Sequence, residues 1–263
     1  TLDVHRDPET GEQIIAGLTQ VHVEVIVDRI RERFGAEIVL HPPRVPYIET
    51  IRKSAKAHGR YKKQTGGRGQ FGDCHIVIAP NEGEYEFVDK IVGGVIPQSY
   101  RPAVDKGIQE AMHRGELAGA PVQGVRVELV DGSYHTVDSS EMAFKIAGSL
   151  AWKDAYMKAE PVLLEPIMEI EVTVPDDAVG AVNGDLNSRR GRLLGMEPLG
   201  GMTTIKAEVP MSEVLTYSQS LTSMTGGRGD YAMHFLRYEE VPAHVAQKVI
   251  EETKREREAA ASH

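Results

Sequence analysis

A glycine loop followed directly by a strand limits what this chain can fold into. Gly67-Arg68-Gly69-Gln70-Phe71-Gly72 matches G-x-G-x-x-G. A dinucleotide fold needs a helix next, so that its N-terminus can hold the pyrophosphate. Here Cys74-His75-Ile76-Val77-Ile78-Ala79-Pro80 follows, a β-branched run that reads as a strand. A kinase glycine loop does lie between strands. However, His5-Arg6-Asp7 stands upstream of the loop, no Asn follows five residues after that Asp, and Asp-Phe-Gly is absent. No G-x-x-x-x-G-K-[ST] occurs either, so the chain has no P-loop.

The residues leading into the loop are basic. Arg52, Lys53, Lys56, Arg60, Lys62, Lys63 and Arg68 fall between Arg52 and Gly72, with His58 and no acid, in a chain of formal net charge -9. A basic hairpin ending in a glycine-rich tip suits a phosphate backbone. The competing reading is a solvated basic edge. One cysteine, Cys74, excludes an internal disulfide framework and cysteine-cluster metal sites, and in a strand it reads as a small buried residue. No apolar run is long enough to span a bilayer and no signal peptide is visible, which points to the cytoplasm. The opening Thr1-Leu2-Asp3-Val4, without an initiator Met, suggests a piece of a longer polypeptide.

Three segments are expected, at residues 1–45, 46–163 and 164–263. In the first, two strands flank the turn Asp7-Pro8-Glu9-Thr10-Gly11. A helix from Leu18 to Phe34 and a strand from Ala36 to His41 follow, giving β-β-α-β before the stiff Pro42-Pro43 linker. The second holds the basic hairpin, a strand at Tyr85–Val88, a helix at Ala103–Arg114 and a strand at Val125–Val130 that breaks at Asp131-Gly132. Its last element is a helix from Ser139 to about Ala159. Asp138 and Glu141 have capping-box spacing there, and Met142, Phe144, Ile146, Ala147, Leu150, Ala151 and Tyr156 form a wide apolar face. The third reads β-α-β-β-α-β, a ferredoxin-like split unit, with a charged helix over Ala243–Ala260 at its end. Thr65-Gly66-Gly67-Arg68-Gly69-Gln70-Phe71 recurs as Thr225-Gly226-Gly227-Arg228-Gly229-Asp230-Tyr231, and the second copy reads as a tolerant turn.

Several runs carry a resemblance. Gly66–Gly72, Gly93-Gly94-Val95-Ile96-Pro97, Pro102–Ala111, Leu117-Ala118-Gly119 and Gly132–Glu141 resemble the fourth domain of bacterial translation elongation factor G. Leu164–Met168 and Asn187-Ser188-Arg189-Arg190-Gly191 resemble its fifth domain, and Gly11–Phe34 the second half of its third. The resemblance implies a multidomain α+β chain. Two ferredoxin-like units, the first incomplete, flank an elongated α/β arm of the ribosomal protein S5 domain 2-like fold.

The function implied is that of the C-terminal, ribosome-binding part of a translational GTPase. It would promote tRNA–mRNA translocation, with ribosomal RNA, A-site tRNA, mRNA and the GTP-binding domain of the same polypeptide as partners and no membrane. This chain would not itself be an enzyme and would hold no cofactor or metal, GTP and Mg belonging to the GTP-binding domain. The tip loops correspond to Thr65, Gly66, Gly67, Arg68, Gly69 and Gln70, and to Ser133, Tyr134 and His135. The hairpin below supplies Arg52, Lys53, Lys56, Arg60, Lys62 and Lys63, and the fifth domain Arg189, Arg190 and Arg192. His135 reads as a donor to phosphate or 2′-hydroxyl, or as a partner of the helix start. A Ser133/His135 hydrolytic pair fits poorly, because the two are neighbours in one turn without an orienting acid. Tyr61-Lys62-Lys63-Gln64-Thr65 looks more like the elongation-factor-G-like paralogs, so a role in ribosome recycling, protection or regulation is the alternative. A stand-alone RNA-binding module is another.

Overall fold

The computed structural model describes residues 3–6, 12–16, 20–41, 44–64 and 66–262, with Gln20 and Val21 as backbone only. The elements are β1 (Asp3–Arg6), β2 (Gln13–Ala16), α1 (Gln20–Phe34), β3 (Ile48–Ile51), β4 (Ala55–Lys63), β5 (Gln70–Pro80), β6 (Glu86–Asp89) and α2 (Arg101–Met112). They continue as β7 (Val125–Ser133), α3 (Glu141–Lys158), β8 (Pro161–Pro175), α4 (Val179–Ser188), β9 (Arg192–Leu199), β10 (Met202–Pro210), α5 (Tyr217–Thr225), β11 (Asp230–Glu240) and α6 (Ala243–Ala261). They fall into two compact units, residues 47–164 with 239–263, and residues 1–46 with 165–238. Among the described residues no helix is long and apolar enough to cross a membrane.

In the unit of 47–164 with 239–263, four strands pair in the order β4-β5-β7-β6. The β4–β5 and β5–β7 pairs are antiparallel and β6–β7 is parallel, the last requiring the crossover through α2. Along β4 the burial alternates. Ala57 and Gly59 face the core, while Lys56, His58, Arg60 and Lys62 lie on the open face. Phe144, Ala147, Ala151, Trp152 and Tyr156 of α3 are fully buried with Ile76, Ile78, Val127 and Leu129 of the sheet. Glycines set the spacing. A Cβ at Gly59 would lie 2.1 Å from the Ala147 carbonyl oxygen, at Gly72 2.4 Å from that of Ala143, and at Gly107 2.0 Å from that of Lys145. The hairpin and α2 thus meet α3 backbone to backbone.

Glu49 on β3 is fully buried. Its carboxylate accepts from the backbone N–H groups of Leu117 (3.1 Å), Ala118 (3.0 Å) and Ala120 (2.9 Å) and from the Tyr156 hydroxyl. Burial, then the Glu49 charge, pushes the Tyr156 hydroxyl far above its ordinary pKa, so it stays a donor. Residues 161–164 of β8 pair with β3, and Val241, Val245, Val249 and Ile250 pack with Leu163, Ala118 and Ala120.

In the second unit β11, β8, β10 and β9 follow one another in that order, with β10 antiparallel to both β8 and β9. This is the ferredoxin-like order expected. Val182 and Leu186 of α4 and Tyr217 and Leu221 of α5 share its core with Ile170, Val172, Ile205 and Ala207. In residues 1–46 the pair β1–β2 is antiparallel, from Asp3 opposite Ala16 to Arg6 opposite Gln13.

Several expectations need correction. Residues 36–41 form no strand; Val39 and Leu40 are exposed, and among the described residues no strand edge pairs with them. Strand propensity without a pairing edge does not make a strand. β7 does not break at Asp131-Gly132 but continues to Ser133, with Val130 as the extra residue of a bulge. The cap of α3 is Ser140, which accepts from Ala143 N, rather than Asp138. Met142 and Leu150 are exposed because the face of α3 that meets the sheet is narrower than the apolar pattern. α6 packs in the unit of 47–164, through an apolar stripe on its first turns, rather than with the segment that precedes it. The Asp7–Gly11 turn, Leu18 and Thr19 at the start of the first helix, and Pro42-Pro43 lie outside the described residues.

Replacing Glu49 with Ala strips three buried N–H groups of their acceptor and should cost about 3 kcal/mol or more. Tyr156→Phe, which leaves the amides satisfied, should cost about half as much. Denaturant unfolding followed by the fluorescence of Trp152, which is fully buried beside Tyr156, checks both values.

Candidate nucleic-acid interface

The two glycine- and histidine-bearing loops meet at one end of the β4–β5–β7 sheet. Phe71 N donates to the Asp138 carbonyl at 2.9 Å, and the Ser139 hydroxyl donates to the Phe71 carbonyl at 2.9 Å. Arg68 Nε and Nη2 donate to the Val137 carbonyl at 3.2 and 3.0 Å. A Cβ at Gly69 would lie 2.9 Å from the Asp138 carboxylate, so the two loops approach closely here. Arg68 is therefore a latch between the loops as well as an exposed cation. Gly66 and Gly67 are exposed, Gln70 opens β5 opposite Lys63, and Thr65 lies outside the described residues.

His135 has two different ends. Its Nδ1 accepts from Val137 N at 3.2 Å and Asp138 N at 3.1 Å, so the proton of the neutral ring sits on Nε2. Nδ1 is thus taken up by the turn that precedes α3. The ring is half-exposed and 6.5 Å from that of Phe71. Tyr134 is 44% exposed, and Ser133 is exposed at the end of β7. Cys74 is fully buried, and burial, then the Asp73 charge, pushes its thiol up to about 12.

The basic residues of the hairpin separate into two groups. In the turn between β3 and β4, Arg52 pairs with Glu240 at 2.6 Å and Lys53 with Glu160 at 2.5 Å. Both are already neutralised by acids distant in sequence, which the local run could not show. Lys56, near the start of β4, and Lys62 and Lys63, at its loop end, are exposed, and among the described residues no acid pairs with them. Arg60 lies between these cases, 4.0 Å from Asp73 and 5.4 Å from the centre of the Phe71 ring. Sequence reasoning missed Phe71 and Ser139 as the ties between the loops. The signal lay in Ser139-Ser140, where one serine caps α3 and the other is left to bridge.

The arginines expected to contact the ribosome, Arg189, Arg190 and Arg192, all have partners within the second unit. Arg189 donates to Asp185 at 2.8 Å, to the Glu213 carbonyl at 2.6 Å and to Ser220 at 2.8 Å, with its guanidinium 5.2 Å from the Tyr217 ring centre. Arg190 grips Glu165 with two bonds of 2.7 and 3.0 Å and also reaches Glu213 at 3.2 Å. Glu165 is 2% exposed, so this pair is an internal brace. Only Arg192 is mostly exposed, and it pairs with Glu208 at 2.8 Å. In the second copy of the glycine repeat, Gly226 (φ 61°) and Gly227 (φ 83°) close α5, as a tolerant turn should. Arg190→Ala should destabilise its unit by about 3 kcal/mol, because it strands the buried Glu165 carboxylate. Arg192→Ala should change stability by less than about 0.5 kcal/mol. Urea midpoints by circular dichroism separate the two.

The comparisons with known proteins agree with this architecture. Residues 1–42 match the model of elongation factor G domain III, residues 43–160 that of domain IV, and residues 162–249 that of the elongation factor G C-terminus. The chain is 55% identical over 255 residues to elongation factor G of Aquifex pyrophilus, covering 96% of this chain and 36% of that protein. A crystal structure from Thermus thermophilus superposes with a TM-score of 0.83 at 46% identity, over 97% of this chain and 38% of that one. The chain thus spans little more than a third of the length of these relatives. With three consecutive domain models matched in order, the chain belongs to the elongation factor G family.

Proposed function

We propose that this chain is the ribosome-contacting portion of a translational GTPase that moves tRNA and mRNA through the ribosome. The observation that carries this reading is the pair of loops tied by Arg68, Phe71 and Ser139, standing beside lysines that no acid among the described residues neutralises. The loops offer shape and donors, including the Nε2–H of His135, towards phosphates, 2′-hydroxyls and bases, and Tyr134 offers a stacking surface. Lys56, Lys62 and Lys63 offer charge. The partners are ribosomal RNA, A-site tRNA and mRNA, together with a GTP-binding domain of the same polypeptide, and the place of action is the cytoplasm. GTP and Mg belong to that domain. The 263 residues contain no P-loop, so a calorimetric titration of the chain with GTP should give no binding heat.

Each phosphate neutralised contributes roughly 0.7–0.9 to the log–log salt slope. Replacing Lys62 and Lys63 with Ala should therefore flatten the slope of ribosome binding by about 1.5 units. Replacing Arg52 and Lys53, already paired, should leave it unchanged. His135→Ala should not alter the slope, since a neutral imidazole releases no counterion. In a polypeptide that includes the GTP-binding domain, it should slow single-turnover translocation while ribosome-stimulated GTP hydrolysis persists. A wild-type translocation rate would assign His135 to structure or the protein to a recycling or regulatory role.

A further inference from the structure

On the open face of the sheet, His58 of β4 stands directly opposite His75 of β5, and Asp73 precedes His75 by two residues on the same face. Nε2 of His58 is 2.7 Å from Asp73 Oδ2, and Nε2 of His75 is 3.9 Å from Asp73 Oδ1. One ligand atom from each of the three lies within 4.8 Å of the others. The imidazoles stack with centroids 4.0 Å apart and planes 4° from parallel. The Asp73 side chain is 8% exposed and each imidazole 42%, so the carboxylate forms a floor and the imidazoles a rim. A cleft of about 480 Å³ adjoins the rim, with Lys56, Asp131, Asp154 and Lys158 among its walls.

We propose that His58, Asp73 and His75 form a binding site for a divalent first-row transition cation of the zinc type. Two imidazoles and one carboxylate suit Zn²⁺, Co²⁺ or Ni²⁺, whereas Mg²⁺ and Ca²⁺ take oxygen ligands. Three protein ligands leave a fourth position for water on the cleft side. Since Asp73 only accepts, His58 now carries its proton on Nε2. Metal binding moves that proton to Nδ1 by exchange with solvent, freeing the Nε2 lone pair. Metal–ligand bonds of about 2.0–2.2 Å require the three groups to close in and the parallel rings to splay. The half-exposed imidazoles can make this turn, because rotation about χ2 is broad. Arg60, 4.0 Å from Asp73, opposes the cation and holds the affinity down.

The test is a titration of the untagged 263-residue chain with Zn²⁺ by calorimetry and with Co²⁺ by visible absorption. One equivalent should bind with micromolar affinity, Co²⁺ should develop ligand-field bands, and Mg²⁺ should not compete. His58→Gln and His75→Gln should each weaken binding by about tenfold or more, with circular dichroism confirming that each variant is folded. His113→Gln, remote from the cluster, should bind as the unaltered chain does. Absence of saturable Zn²⁺ binding in the micromolar range would overturn the proposal. So would binding that survives both substitutions. Should one variant fail to fold, the other and the Co²⁺ spectrum of the unaltered chain still decide.

Discussion

A single buried carboxylate holds together the base of the unit formed by 47–164 and 239–263. Moving Glu49 out of water costs several kcal/mol unless its lone pairs are met. Three backbone N–H groups from residues 117–120 and the hydroxyl of Tyr156 meet them. The turn closes on itself through Gly119 N to the Gly115 carbonyl and Gly115 N to the Ala120 carbonyl, and the amides of Leu117, Ala118 and Ala120 are met by the carboxylate. Acid and turn are therefore mutually obligatory, and together they join β3, the turn and α3. A Cβ at Gly115 would lie 2.2 Å from Glu49 Oε1, so the chain must also be bare of side chain where it passes the carboxylate. The strand β3 places the acid, β8 pairs with β3, and the first turns of α6 cover the junction.

The second unit solves a related problem with a cation. Arg190 takes a left-handed backbone conformation, φ 57°, which costs a non-glycine residue about a kcal/mol or more. That conformation accompanies its bidentate grip on Glu165. The neighbouring Arg189 closes on Asp185, Ser220 and Tyr217. Two consecutive arginines thus tie β8, α4, α5 and the turn before α5 from a single helix end.

These two cases show what the sequence could and could not disclose. Periodicity located nearly every element, because apolar spacing is a local property. The alternation of Ala57, Gly59 and Tyr61 with Lys56, His58, Arg60 and Lys62 was readable along β4, and so was the strand after the glycine loop that excluded a nucleotide fold. The state of a charge was not readable. Arg190 lies 25 residues from Glu165, and Arg52 lies 188 residues from Glu240. In the linear sequence an arginine bound to a buried acid looks the same as one awaiting RNA. The two loops stand out in the sequence by their glycines and by Ser133-Tyr134-His135, but the latch that joins them does not, since it runs through main-chain carbonyls that any residue would supply. The failed strand at 36–41 has the same origin, because its pattern is local and its pairing edge is not.

The backbone contacts at Gly59, Gly72 and Gly107 have a mechanical consequence. Where side chains separate two elements, a displacement of one can be absorbed by rotamer changes before it reaches the other. Here the hairpin and α2 touch the carbonyl groups of α3 with nothing between them that can rotate. The sheet and both helices should yield little under load, as a beam does whose layers are bonded rather than cushioned. Force arriving at the joined loops would pass along α3 to the far end of its unit with little loss.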